Sequence, residues 1–234
     1  MTAVSVAGVV VTAACLLPRG TLGARAGIPR LVALRGLLGG ASAGTDIYLP
    51  LYLQHELGYA PAAAGAVVAI GALGWAAGSW HQGRVETDGD DPGALRWAAL
   101  FVLCGPVLGV AFVSGLLPVA AAVAGCVLMG VGMGVSYPRI TASVLALSPE
   151  ASQGTNASAL QAAEPLGTAV LVGVTGAVLT ASALNGYTAV YAIVAGVGLL
   201  GLVVTLPSRT APVGRPGTAG AAGEAGNPGS PATE

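Results

Sequence analysis

The sequence predicts an all-α membrane protein, a polytopic bundle of about seven transmembrane helices followed by a polar tail. Three observations carry this expectation. Of 234 residues, 54% are hydrophobic and only 8% are charged, against roughly 25% charged in an ordinary soluble domain. The mean hydropathy is +0.79. The charges are also gathered into a few places, leaving long runs without any. Nine arginines and ten acids cannot cover the surface of a soluble domain of this size. A disordered chain would need low hydrophobicity and high net charge, whereas the net charge here is −1. Nucleic-acid binding is excluded in the same way, because no basic cluster is available to neutralise phosphates.

The charge-free runs set the elements. Residues 1–18 and 57–80 carry no charge, nor do 97–138 and 165–208. About 20 apolar residues at 1.5 Å each span a hydrocarbon core of roughly 30 Å, so each of the last two runs holds two spans. Turn signals stand between them at Ser114-Gly115-Leu116-Leu117-Pro118 and Ser182-Ala183-Leu184-Asn185-Gly186. The expected spans over residues 1–206 are 3–17, 31–53, 61–81, 95–114, 117–138, 157–181 and 186–206. Continuous apolar runs without ten-residue dyad alternation favour helices over a β-barrel.

The first span is short, and Ala24-Arg25-Ala26 imitates a signal-peptide cleavage site. A signal peptide, however, carries its positive charge before the apolar region, and here Arg19, Arg25 and Arg30 follow it. That polarity places the N-terminus outside. With alternating loops thereafter, every arginine falls on or beside the cytoplasmic segments 18–30, 82–94, 139–156 and the tail. The outer loops 54–60, 115–116 and 182–185 hold none. The expected location is the plasma membrane, with the C-terminal tail cytoplasmic. On that side the Asn156-Ala157-Ser158 sequon is no glycosylation site. In the tail, residues 207–234, six glycines recur every third position from Gly214 to Gly229 with three prolines among them. Six triplets are short for a collagen helix, and a disordered Gly/Pro-rich segment is the expectation.

No enzyme chemistry is visible. Cys15, Cys104 and Cys126 lie inside spans with no CxxC spacing, and His55 and His81 belong to opposite faces of the membrane. No Ser/His/Asp grouping, phosphate loop or metal cluster is present, so neither cofactor nor metal is expected. Four-residue glycine spacings, at Gly36/Gly40/Gly44, Gly74/Gly78, Gly105/Gly109 and Gly130/Gly134, predict helices packed at close backbone distance. The residues that point to function are ionisable groups at membrane depth. Asp46 lies in the second span, and Glu164 lies in the sixth on a polar stripe with Gln161, Thr168 and Thr175. Arg35 shares a face with Asp46 but lies about 16 Å from it along the helix, too far for a salt bridge. It is expected to snorkel to the cytoplasmic headgroups. The bland alternative makes Glu164 an interfacial or purely structural hydrogen-bonding residue.

Four stretches carry a family resemblance. Arg35 through Leu53 with Thr45-Asp46-Ile47-Tyr48-Leu49-Pro50, then Gly58-Tyr59-Ala60-Pro61, resembles the seventh and eighth helices of major facilitator superfamily transporters. Gly71 to Arg84, ending His81-Gln82-Gly83-Arg84, resembles the end of the eighth helix and a degenerate copy of the family's cytoplasmic loop motif, here Gly83 and Arg84 without its acidic residue. Gly130-Val131-Gly132-Met133-Gly134 with Tyr137-Pro138-Arg139, and Ala159 to Gly167 around Glu164-Pro165, resemble the tenth and eleventh helices. The chain is most similar to actinobacterial drug:proton antiporter-type exporters. The resemblance implies one helix plus the six-helix C-terminal half of a transporter, with small-molecule substrate and protons as partners in the lipid bilayer. It implies proton or substrate roles for Glu164, Asp46, Gln161, Thr168, Tyr48 and Tyr137. Completion by a missing N-terminal half or by a second copy is the corresponding expectation. The alternative is a non-transporting truncated membrane protein or an assembly partner of another membrane protein. A weak internal echo fits two inverted triplets: the second and fifth spans both carry a four-spaced glycine pair, then a Tyr, then a Pro.

Overall fold

The structure is a computed structural model that describes residues 18, 20–85, 92–181 and 186–206. The expected first span, the 182–185 turn and the tail lie outside the described residues. Six helices follow one another: α1 (Ile28–His55), α2 (Pro61–Arg84), α3 (Pro92–Val113), α4 (Val119–Leu147), α5 (Gln153–Ala181) and α6 (Gly186–Thr205). Short 3₁₀ turns stand at Thr21–Gly23 and Glu150–Ser152, and no strand occurs among the described residues. Pro29 and Pro61 occupy the first turns of α1 and α2, where the missing N–H would be unsatisfied in any case. Gly58 and Gly115, at φ +67° and +72°, reverse the chain between α1 and α2 and between α3 and α4 in a conformation that favours glycine.

Five of the six helices are long and apolar enough to cross a membrane. The exception by hydropathy is α1. It is 28 residues long and buries thirteen of them, Arg35, Ser42, Thr45 and Tyr48 included. A helix shielded by its neighbours can carry more polar groups than one that faces lipid.

α4 departs from the expected boundaries. It continues through Pro138 to Leu147, so the expected 139–156 loop shrinks to a short connection around the Glu150–Ser152 turn. Proline removes the hydrogen bond to the carbonyl four residues back, here that of Gly134. The Ser79 hydroxyl of α2 donates to that carbonyl at 3.4 Å. A neighbouring helix thus satisfies the freed group, as membrane-embedded prolines require.

Packing follows an internal two-fold pattern. α2 and α3 both pack on α4, while α5 and α6 both pack on α1, and α3 meets α6. Exchanging the triplets α1–α3 and α4–α6 maps the α1–α5 contact onto α4–α2 and the α1–α6 contact onto α4–α3. The four-spaced glycines sit in the equivalent contacts. A methyl group at Gly36 would stand 2.9 Å from the Ala163 carbonyl of α5, and one at Gly71 would stand 3.1 Å from the Cys126 carbonyl of α4. Gly74, Gly78, Gly130 and Gly134 are closer still to backbone of the partner helix. Such contacts replace the missing hydrophobic drive between helices in lipid. Gly109 serves differently, leaving room for the ring of Tyr191, which is fully buried.

Candidate functional site

The α1–α5 contact brings the charges together. Because Gly36 and Gly167 let the two backbones touch, Arg35 and Glu164 meet across the crossing. Arg35 Nε donates to Glu164 Oε2 at 3.3 Å, with side-chain exposures of 9% and 37%. This is the only ion pair among the described residues. The Arg35 guanidinium also lies 3.4 Å above the Tyr137 ring of α4, a cation–π contact that a dry site strengthens. Arg35 therefore does not snorkel to the headgroups. It is withdrawn into the bundle because a carboxylate and an aromatic face both offer compensation there.

Tyr137 is 7% exposed, and Trp75 of α2 packs edge-on against it at 5.1 Å. Its hydroxyl lies beside the Glu164 carboxylate without hydrogen-bond geometry, and has no partner among the described residues. Gly39 completes the arrangement: a methyl group there would come within 2.7 Å of Glu164 Cγ and 2.9 Å of the Tyr137 hydroxyl oxygen. Three helices thus converge on one guanidinium, one carboxylate and one unbonded phenol.

The other expected site residues spread around this centre. Asp46 lies on the exposed side of α1 with the Ser42 hydroxyl beside it. Seven residues separate it from Gly39, which is about 10 Å along the axis. No arginine pairs with it among the described residues. Tyr48 is buried and its hydroxyl meets Thr175 Oγ1 at 2.8 Å, a second polar tie between α1 and α5. Thr168 is half-buried beside Gly40 at the same helix contact, whereas Gln161 is exposed. The expected stripe is therefore divided: Glu164 and Thr175 face α1, and Gln161 does not. Gly83 and Arg84 end α2, where the Arg84 guanidinium covers the Trp80 ring at 3.8 Å. Arg35 and Gly39 were absent from the expected set. Along α1 alone Arg35 can be set only against Asp46, and Gly39 breaks the four-residue spacing.

Two cavities adjoin the site. One, of about 560 Å3, lies between the Thr21–Gly23 turn and α1, α5 and α6, and its wall is apolar apart from Thr21. The other, of about 830 Å3, opens at the end of the bundle that carries Arg30 and Arg139. No group of three or more His, Cys, Asp or Glu residues that could hold a metal occurs among the described residues.

The model of the Major Facilitator Superfamily matches residues 15–171, which include the whole α1–α4 core and both carboxylates. The chain belongs to this superfamily. It is a multi-pass membrane protein of a transporter family. No curated protein matches the chain.

Proposed function

We propose that the chain forms one half of a proton-coupled exporter of small molecules, with Glu164 as the proton-carrying group. The observation that supports this is the Arg35–Glu164 pair, set where α1, α4 and α5 meet, with the Glu164 side chain 37% exposed. While Glu164 is ionised, its attraction to Arg35 ties α5 to α1. When Glu164 takes up a proton, the ionic part of that tie is lost, and Arg35 is left with a neutral acceptor and the Tyr137 ring. The unbonded Tyr137 hydroxyl then stands ready to accept from the new carboxylic acid. One proton thus changes the bonding between two helices, which is the coupling an exporter of this superfamily needs between proton entry and movement of its halves.

Asp46, about 10 Å further along α1, supplies a second carboxylate at another depth, without a cation of its own. It suits a substrate-binding role on the face that a second six-helix body would cover. Gln161, Thr168 and Tyr48 belong to the walls around these two groups. In this reading the assembly lies in the plasma membrane with Gly83 and Arg84 at the cytoplasmic side, an orientation that the arginine distribution supports.

Transport by the assembled protein in vesicles tests this reading. Glu164→Gln should abolish uptake or efflux driven by a pH gradient while downhill exchange of the same substrate continues. A Gln variant with wild-type proton coupling would reduce Glu164 to a structural role.

A further inference from the structure

The end of the bundle away from the Asp46 level holds a second group of cations that the pair above does not use. Arg30 of α1 and Arg139 of α4 face the 830 Å3 cavity, and no carboxylate appears among the described residues that line it. Both guanidiniums are held in place from one side. Arg139 Nε donates to Gln82 Oε1 of α2 at 2.6 Å. Arg30 Nε donates to the Val204 carbonyl at 2.5 Å, and its Nη2 to the Leu206 carbonyl. The Val204 carbonyl belongs to the last turn of α6, where carbonyls lack intrahelical donors and bear the negative end of the helix dipole, and the Leu206 carbonyl follows directly after it. The terminal N–H groups of Arg139 have no acceptor among the described residues. Beside them stand the Ser143 hydroxyl and an apolar wall that includes Leu31 and Leu147.

A fixed guanidinium with free donors matches the oxygens of a phosphate better than a mobile ammonium would. Basic pockets between transmembrane helices on the cytoplasmic side are built to take anionic headgroups, and the adjoining apolar wall suits the first methylenes of an acyl chain. We propose that this cavity binds a phosphate-bearing anion on Arg139, with Arg30 at its side. Two sources share that chemistry: an anionic phospholipid of the adjacent leaflet and free phosphate. This inference is independent of the proton role of Glu164.

Thermal unfolding of the full chain in neutral detergent tests it, with dihexanoyl phosphatidylglycerol, dihexanoyl phosphatidylcholine and inorganic phosphate as probes. Phosphatidylglycerol should raise the midpoint saturably, and phosphatidylcholine, whose choline cancels the charge, should not. An equal rise with inorganic phosphate assigns the source as soluble anion, and a rise with phosphatidylglycerol alone assigns it as lipid. Arg139→Gln should raise the half-saturating concentration at least tenfold. Should that variant misfold because Gln82 loses one of its contacts, Ser143→Glu decides the matter: it keeps both arginines, adds a carboxylate to the wall and should abolish the shift. Arg25→Gln, at an exposed arginine outside the cavity, should keep it. No shift with either anion, an equal shift with phosphatidylcholine, or a shift that survives Ser143→Glu would overturn the proposal.

Discussion

Arg35 and Glu164 differ in exposure, 9% against 37%, and this makes their substitutions unequal. Glu164→Gln leaves a buried guanidinium with a neutral acceptor and the Tyr137 ring in place of its counter-charge, whereas Arg35→Gln leaves a carboxylate that is far less enclosed. Removing one partner of a fully buried pair costs 3–5 kcal/mol; with Glu164 half-exposed the expected loss is about 2 kcal/mol for Glu164→Gln and under about 1 kcal/mol for Arg35→Gln. The double variant should recover most of the difference. Unfolding in detergent measures all three, and equal losses for the two single variants would refute the asymmetry. Tyr137→Phe removes a hydroxyl that makes no hydrogen bond, so its stability should stay within about 0.5 kcal/mol of the parent. If the phenol serves protonated Glu164, the same variant should shift the pH profile of transport. The pairing itself was not legible in the sequence. Its partners are 129 residues apart, and a face-by-face reading of one helix compares Arg35 only with Asp46. What was legible is that Glu164 sits at membrane depth, where a lone charge is expensive.

At the scale of helices, the glycine spacings were the readable signal, and the end of the charge-free run at Pro138 did not mark the end of α4. Gly130 and Gly74 meet partner backbone at the α2–α4 crossing, while Gly65 on the same α2 has open space around it. Gly130→Ala must push two backbones apart, since no flexible side chain is there to yield. A loss of about 2 kcal/mol or more is expected, in the range of overpacked contacts. Gly65→Ala should be neutral or stabilising by up to about 1 kcal/mol, because alanine loses less entropy in a helix. Comparable effects at the two positions would show that the glycines are incidental. The expected span ends at Pro138 because the charge-free run stops before Arg139, and a charge does not by itself end a helix. The contact that accommodates Pro138 within the helix, Ser79 donating to the Gly134 carbonyl, lies on another helix and has no signature along α4 itself. Removing that hydroxyl with Ser79→Ala should loosen α4 beyond Pro138. Faster amide exchange over residues 139–147, with α3 unchanged, is the expected readout.

For the whole molecule, what matters is which faces the six helices leave open. α1 and α4 occupy the middle of the packing, each packing against two helices of the opposite or its own triplet, α5 and α6 on α1 and α2 and α3 on α4, and against each other. α2 and α5 are the least enclosed spans, each with 17% of its apolar window buried. Asp46, Trp75 and Gln161 are exposed, and Glu164 is half-exposed. A carboxylate open to lipid is costly, and these groups become affordable only if a second body encloses water against them. Alternating access in this superfamily is rocking of one bundle against another around such a site. Orientation comes first: with native cysteines replaced, Leu116→Cys should react with an impermeant maleimide on intact cells, and Gly154→Cys only after permeabilisation. The reverse pattern would invert the assignment of sides. Function then depends on number. On the proposed two-body reading, purified single copies, verified by crosslinking and reconstituted in vesicles, offer one wall of the cavity, so they should move no substrate under a pH gradient. Adding a partner that encloses Asp46 should both restore transport and protect an Asp46→Cys label from aqueous reagents. Proton-driven transport by verified single copies would mean that the six helices contain a complete pathway by themselves, and the two-body reading would have to be abandoned.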